Sequence, residues 1–319
     1  MNCSTDCSKF SNLLQAKLIY ELAYIPYAVS SCSQKEILYR LQNEIMRITM
    51  VTEDKKKQGR KKRGQISSEE LEAYAKLEAE RLIEMLNSDN PQERTIAATI
   101  LGNRRDKNGI LPLCDSLKKE NALYSRIAMS EALGKMGEAA VPPLIKLIGQ
   151  IGDNQEKGLP DKYFNKKSFP LVHDMAARTI IKIGKPATPY LIRIVKKQDD
   201  YILQQAIDAL GGIAANTGDK RALPVLINSI KTGSNNKITL WKIIRSLSGF
   251  KHSSEALPPL LNILESDYDA AIIWESARTL GQIGINRPDV INALCKLEES
   301  DHPEVKKATQ NALINLESH

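Results

Sequence analysis

Seven copies of one unit, running from about Ala79 to the end of the sequence, constrain the fold of this chain more than any other feature. Each copy reads as a short apolar helix, a break, and a second helix rich in Ala and Leu. Aligning the first helices on Leu82, Leu113, Leu144, Leu191, Leu226, Leu260 and Leu294 gives spacings of 31, 31, 47, 35, 34 and 34 residues. A unit of this size cannot bury its apolar face alone. It must stack on its neighbours, and the product is a solenoid whose working part is an extended surface rather than a closed pocket.

The helix entries are consistent from copy to copy. They read Ile110-Leu111-Pro112-Leu113, Val141-Pro142-Pro143-Leu144, Thr188-Pro189-Tyr190-Leu191, Leu223-Pro224-Val225-Leu226 and Leu257-Pro258-Pro259-Leu260. Proline suits the first turn because the N–H it lacks has no partner there. The second helices run Ser125 to Gly134, Ile202 to Gly211 and Ile272 to Gly281, with Glu93 to Gly102 and Val305 to Leu313 on the same scheme. Small residues on their inner positions let backbones approach. The closing glycine is expected to end each helix in the left-handed conformation.

These motifs resemble HEAT repeats, above all the short variety of phycobilisome-lyase-type proteins, over about residues 79 to 319. The resemblance implies an all-α, right-handed α-solenoid of about seven helix pairs with an armadillo-type fold. It says little about function, because this fold hosts many roles.

Composition agrees with thin Ala/Leu packing: only 5% of residues are aromatic, and alternating strand patterns are almost absent. Of five cysteines, Cys114 and Cys295 take first-helix positions filled elsewhere by Ile or Leu and read as reduced packing residues. Cys3 and Cys7 lack the second pair that a tetrahedral zinc site needs, so no metal or cofactor is expected. There is no run of 18 apolar residues and no signal-peptide core, which points to a soluble cytoplasmic protein.

Three segments follow. Residues 1–52 read as a helical N-terminal piece, with one helix from Ser8 to Tyr24 and another from Ser33 to about Met50 that carries Ile37, Leu38, Leu41, Ile45 and Ile48 at helical spacing. Residues 53–66 read as a disordered basic linker. Its Lys55, Lys56, Lys57, Arg60, Lys61, Lys62 and Arg63 supply seven positive charges, the whole net charge of +7, so everything else sums to neutral and the array is not broadly basic. Residues 67–319 form the array, opened by a capping box at Ser67-Ser68-Glu69-Glu70 and a long acidic helix. The third copy carries an insertion over about 149–169, whose Tyr163, Phe164, Lys166, Lys167 and Phe169 are either a binding rim or pins holding the loop to its own repeat.

On the second helices, the third and seventh positions share a groove-facing side. Down the array this row includes Ile127 and Glu131, Asp174 and Arg178, Asp208, Trp241 and Arg245, Trp274 and Arg278, and Lys307. The only two tryptophans thus stand at equivalent places, each four residues before an arginine. Two readings are open. Trp241, Arg245, Trp274, Arg278, Arg178 and Asp208 form a partner-binding platform, or the tryptophans pack against neighbouring helices while arginine pairs with Asp208.

The residues favour a non-catalytic protein–protein interaction scaffold that binds a peptide or helix on its concave face. The alternative is a nucleic-acid-associated adaptor tethered by the basic run, with attraction that ignores base sequence. A lesser alternative, implied by the resemblance alone, is a bilin-lyase-like subunit. A glycosylase-like use of Asp208, Trp241 and Arg245 conflicts with a neutral array, and no His is followed by Glu as the HEAT-repeat iron hydroxylases require.

Overall fold

The computed structural model describes residues 31–150, 156, 158–162, 169–170, 174–196, 200–232 and 236–318. The chain divides into two compact units, residues 1–59 and 60–319. The expected Ser8–Tyr24 helix, the Cys3/Cys7 pair, and Tyr163, Phe164, Lys166 and Lys167 of the insertion lie outside the described residues.

In the first unit the described structure is one helix, α1 (Ser31–Lys61). Its Ile45 and Ile48, expected to form an apolar face, are exposed, as are Tyr39, Met46 and Met50. The helix also runs on through the basic stretch, so residues 53–61 are helical where the sequence reading had a disordered linker. Glu, Lys, Gln and Arg are all good helix formers, and Glu53 pairs with Lys56 one turn on at 3.2 Å.

Residues 60–66 belong to the second unit and are anchored there. The Tyr124 N–H donates to the Arg63 carbonyl at 2.9 Å, and Gln92 Nε2 donates to the Gln65 carbonyl at 3.0 Å. Gly64, at φ +89°, permits this fit, because a Cβ there would stand 2.6 Å from Ser125 Oγ. Ser67 then caps α2 (Ser68–Glu72) through the expected capping box. The expected long acidic helix is instead broken by turns after Glu72.

Seven helix pairs follow: α3 (Ala79–Met85) with α4 (Pro91–Arg104), α5 (Ile110–Lys119) with α6 (Leu123–Met136), and α7 (Val141–Leu147) with α8 (Met175–Ile183). The last four are α9 (Thr188–Val195) with α10 (Asp200–Thr217), α11 (Leu223–Lys231) with α12 (Lys237–Leu247), α13 (Leu257–Leu264) with α14 (Ala270–Ile283), and α15 (Pro288–Lys296) with α16 (Pro303–Glu317). Every described element is helical, so this unit is an α-solenoid. Among the described residues no helix is long and apolar enough to cross a membrane.

All seven register leucines are fully buried, at 0% exposure. Burying a leucine removes about 1.5–3 kcal/mol worth of apolar surface from water, so this row is the main cohesive element of the stack. The second helices pack more closely on one another than the first helices do, which makes theirs the concave, inner side. Between them runs a polar ladder: Thr95 Oγ1 to Ser125 Oγ at 2.9 Å, Ser130 Oγ to Thr179 Oγ1 at 2.8 Å, and Gln204 Nε2 donating to Thr239 Oγ1 at 3.1 Å.

The glycines correct one expectation. Gly102 and Gly281 do not adopt the left-handed conformation. They lie inside their helices, where a Cβ would stand 2.6 Å from the Cα of Ala132 and Ala312 respectively. They permit close backbone approach, and the positive φ falls three residues later, to Arg105 and Gly284. Cys295 differs from expectation as well: it is exposed, whereas Cys114 is buried at 3% exposure.

Candidate functional site

The buried charged residues of the inner helices gather on α10, α12 and α14. On α12, the 3.6-residue period brings Trp241 and Arg245 to one side, with Lys242 one step round. The Arg245 guanidinium stacks over the Trp241 ring at 4.3 Å. Arg245 also ion-pairs with Asp208 of α10, Nη2 to Oδ1 at 2.5 Å, while Lys242 Nζ reaches Asp208 Oδ2 at 2.8 Å.

The fourth member comes from the insertion. Glu156 meets Arg245 Nη1 at 2.8 Å and Lys242 Nζ at 2.7 Å. The Lys242, Asp208 and Arg245 side chains are 1%, 2% and 6% exposed, against 24% for Glu156. Burial opposes ionisation of the Glu156 carboxyl, yet the adjacent Arg245 and Lys242 charges prevail and hold it at about 2. Burial likewise opposes the charge on Arg245, and Asp208 and Glu156 more than reverse this, so its pKa rises.

Other parts of the insertion lie against the start of α8 and against α10. Gly149 N–H donates to Asp174 Oδ2 at 2.8 Å, and a Cβ on Gly149 would stand 2.6 Å from the Tyr201 ring. Burial, with the neighbouring carboxylates, pushes the Tyr201 hydroxyl up to about 12. Phe169 fills the space above Gly211, where a Cβ would lie 2.7 Å from its ring.

One repeat further, Glu275 and Arg278 of α14 pair at 2.6 Å, both buried. Burial raises the pKa of Glu275 despite Arg278. The Trp241 indole N–H faces this carboxylate without a hydrogen bond of normal geometry.

The expected row is not an open platform. Trp241 and Trp274 are 1% and 2% exposed, and Arg245 and Arg278 are 5% and 4%. Arg245 pairs with Asp208, as the packing alternative held. Asp174 is an N-cap, accepting from the Ala177 N–H at 2.9 Å, and Arg178 is half-buried. Sequence reasoning missed Lys242, Glu156 and Glu275. Lys242 and Glu275 were legible as charges set among apolar neighbours in Leu240-Trp241-Lys242-Ile243 and Ile273-Trp274-Glu275-Ser276. Glu156 carried no periodic signal.

Comparison with known proteins is consistent with this architecture. Among solved structures, similarity extends to an engineered protein (20% identity, 75% of this chain and 96% of that one, TM-score 0.40). It extends also to a computationally designed armadillo repeat protein for modular peptide recognition (18%, 75% and 99%, TM-score 0.37). A third is human deoxyhypusine hydroxylase in complex with glycerol (17%, 85% and 99%, TM-score 0.34). No curated protein sequence matches the chain. The model of HEAT repeats matches residues 79–153 and 230–314, half of the sequence, on either side of the segment that holds most of the insertion, α8, α9 and α10. This chain belongs to the HEAT-repeat family.

Proposed function

We propose that the array is a non-catalytic protein-interaction scaffold that receives a peptide or helix on its inner face. The observation carrying this reading is the chemistry of that face. Stacking requires only small and apolar residues there, yet Asp208, Trp241, Lys242, Arg245, Glu275 and Arg278 occupy it in three adjacent helices. Buried ion pairs contribute little net stability, since desolvation of several kcal/mol or so per ion offsets their attraction. Most of these groups are buried, so a partner would meet the inner face at its open positions, Ile127 and Glu131, and reach the charged cluster only from the Glu156 side.

The test is a photo-cross-linking residue placed at the exposed inner-face positions Ile127 and Glu131, or at Leu111 and Lys118 on the outer helix α5. Capture of a defined partner from the inner positions alone is expected. Equal capture from both faces, or capture from α5 alone, overturns the reading.

A second reading, the nucleic-acid adaptor, draws on Lys55, Lys56, Lys57, Lys61 and Lys62, which are exposed on and just beyond α1. It requires steep salt dependence that vanishes when residues 55–63 are replaced by neutral ones. The bilin-lyase-like role has no comparable set of described residues to support it. Glycosylase-like use of Asp208, Trp241 and Arg245 is disfavoured because these side chains are buried and paired among themselves.

A further inference from the structure

We infer that Lys242 and Arg245 form a carboxylate-receiving site on the inner face, filled by the chain's own Glu156, and that an acidic peptide is the partner that replaces it. This inference rests on the scaffold reading above and names the chemistry of its partner.

The charge balance supports it first. Two cations share one deeply buried counter-ion, Asp208, fixed on the adjacent helix. Without Glu156, Lys242 and Arg245 keep Asp208 as their ion-pair partner, with Asp174 and Glu275 acting on them only through space, and an incoming anion restores the lost pairing. Glu156 differs from the other three members: it sits on backbone outside any helix, and it alone of the four has substantial access to solvent. Solvent, and therefore a competing ligand, reaches the cluster from the Glu156 side.

The donors are also not exhausted. Arg245 Nε is buried and has no hydrogen-bond partner among the described residues, although Nη1 and Nη2 are both engaged. A guanidinium offers five donors in a planar fork matched to carboxylates, so a ligand can bind more fully than Glu156 does. Asp208 also favours a carboxylate over a phosphate. Lying 2.5 Å from Arg245, it repels a group carrying about −1.5 to −2 charges more strongly than one carrying a single charge. An internal carboxylate lowers the apparent affinity for an external one by the fraction of time it occupies the site. Removing it exposes the underlying affinity.

The experiment titrates fluorescein-labelled hexaglutamate into the full chain and follows anisotropy. Glu156→Ala is expected to bind the probe about tenfold or more tighter than wild type. Adding Lys242→Met to that variant is expected to abolish the gain. A folded Glu156→Ala that binds no better than wild type overturns the inference, as does a gain that survives Lys242→Met. Thermal melts keep the test decisive if Glu156→Ala is weakened. Acetate at matched ionic strength raises its Tm above the value in chloride and leaves wild type unchanged, whereas equal melts in the two salts contradict the site. Tighter binding of an oligonucleotide of equal charge overturns the choice of carboxylate. If hexaglutamate fails while the cross-linkers at Ile127 and Glu131 still capture a partner, this inference falls and the scaffold reading stands.

Discussion

Helices α6 and α12 hold equivalent places in their repeats, yet the same register positions meet opposite surroundings. On α6, Ile127 is 38% exposed and Glu131 is open to solvent. On α12, Trp241 is 1% and Arg245 5% exposed, with Asp208 and Glu156 against the arginine. Register fixes the direction in which a side chain leaves its helix. What lies beyond it is decided by the tertiary surroundings, at Arg245 in part by Glu156 of the insertion in the third copy. The inner face is thus open at its second repeat and charged and closed near its fifth.

The largest expected effect comes from substituting this pair of positions. Trp241→Ala removes a buried ring and is expected to cost about 3–5 kcal/mol in urea unfolding. Ile127→Ala, at the surface, stays within about 0.5 kcal/mol. Similar losses at both would show that the two faces are alike after all.

The glycines give a second contrast, smaller in size. Gly102 and Gly134 hold the same position in the last turn of their second helices, but only Gly102 touches backbone. Gly102→Ala is expected to destabilise by about 1–3 kcal/mol through overpacking against Ala132. At Gly134 a Cβ would meet only the Lys182 side chain, at 3.4 Å. Alanine there is expected to gain about 0.5–1 kcal/mol from helix propensity. Two losses of the same size would remove the distinction between close approach and mere helix ending.

The pH response is smaller, and the closed region supplies one part of it. With its carboxyl held at about 2 against an ordinary 4.5, Glu156 adds stability that is fully present above pH 4.5. That contribution is lost as the pH falls from 4.5 towards 2. Glu156→Gln therefore flattens the Tm profile in this window. Asp219, held at about 2 mainly by its hydrogen bond with Arg221, works over a similar range, so some slope persists. An unaltered slope in Glu156→Gln would contradict the buried pairing.

The parts of this molecule legible in its sequence are those encoded by period. The register leucines recur in all seven copies, the first-turn prolines in most of them and small inner residues along the second helices, and the fold follows from them. Features that depend on one particular contact were not legible. Gly64 gives no sign in sequence that Ser125 lies above it, and the basic run looks like a linker because charge alone does not distinguish an exposed helix from a coil. Gly102 resembles a helix terminator because glycine serves both uses. The tryptophans were found by position, but their burial depends on tertiary surroundings. Glu156 is 89 residues from Arg245 along the chain, and no spacing rule links an irregular insertion to a helix two repeats later.

The most direct test is a double-mutant cycle between Glu156→Gln and Lys242→Met, measured by urea unfolding of the full chain. The account predicts a coupling of about 1 kcal/mol or more, because each side chain neutralises the other in a desolvated place. Effects that add to within about 0.3–0.5 kcal/mol would contradict it, and the inner face would then have no carboxylate site for a partner to take.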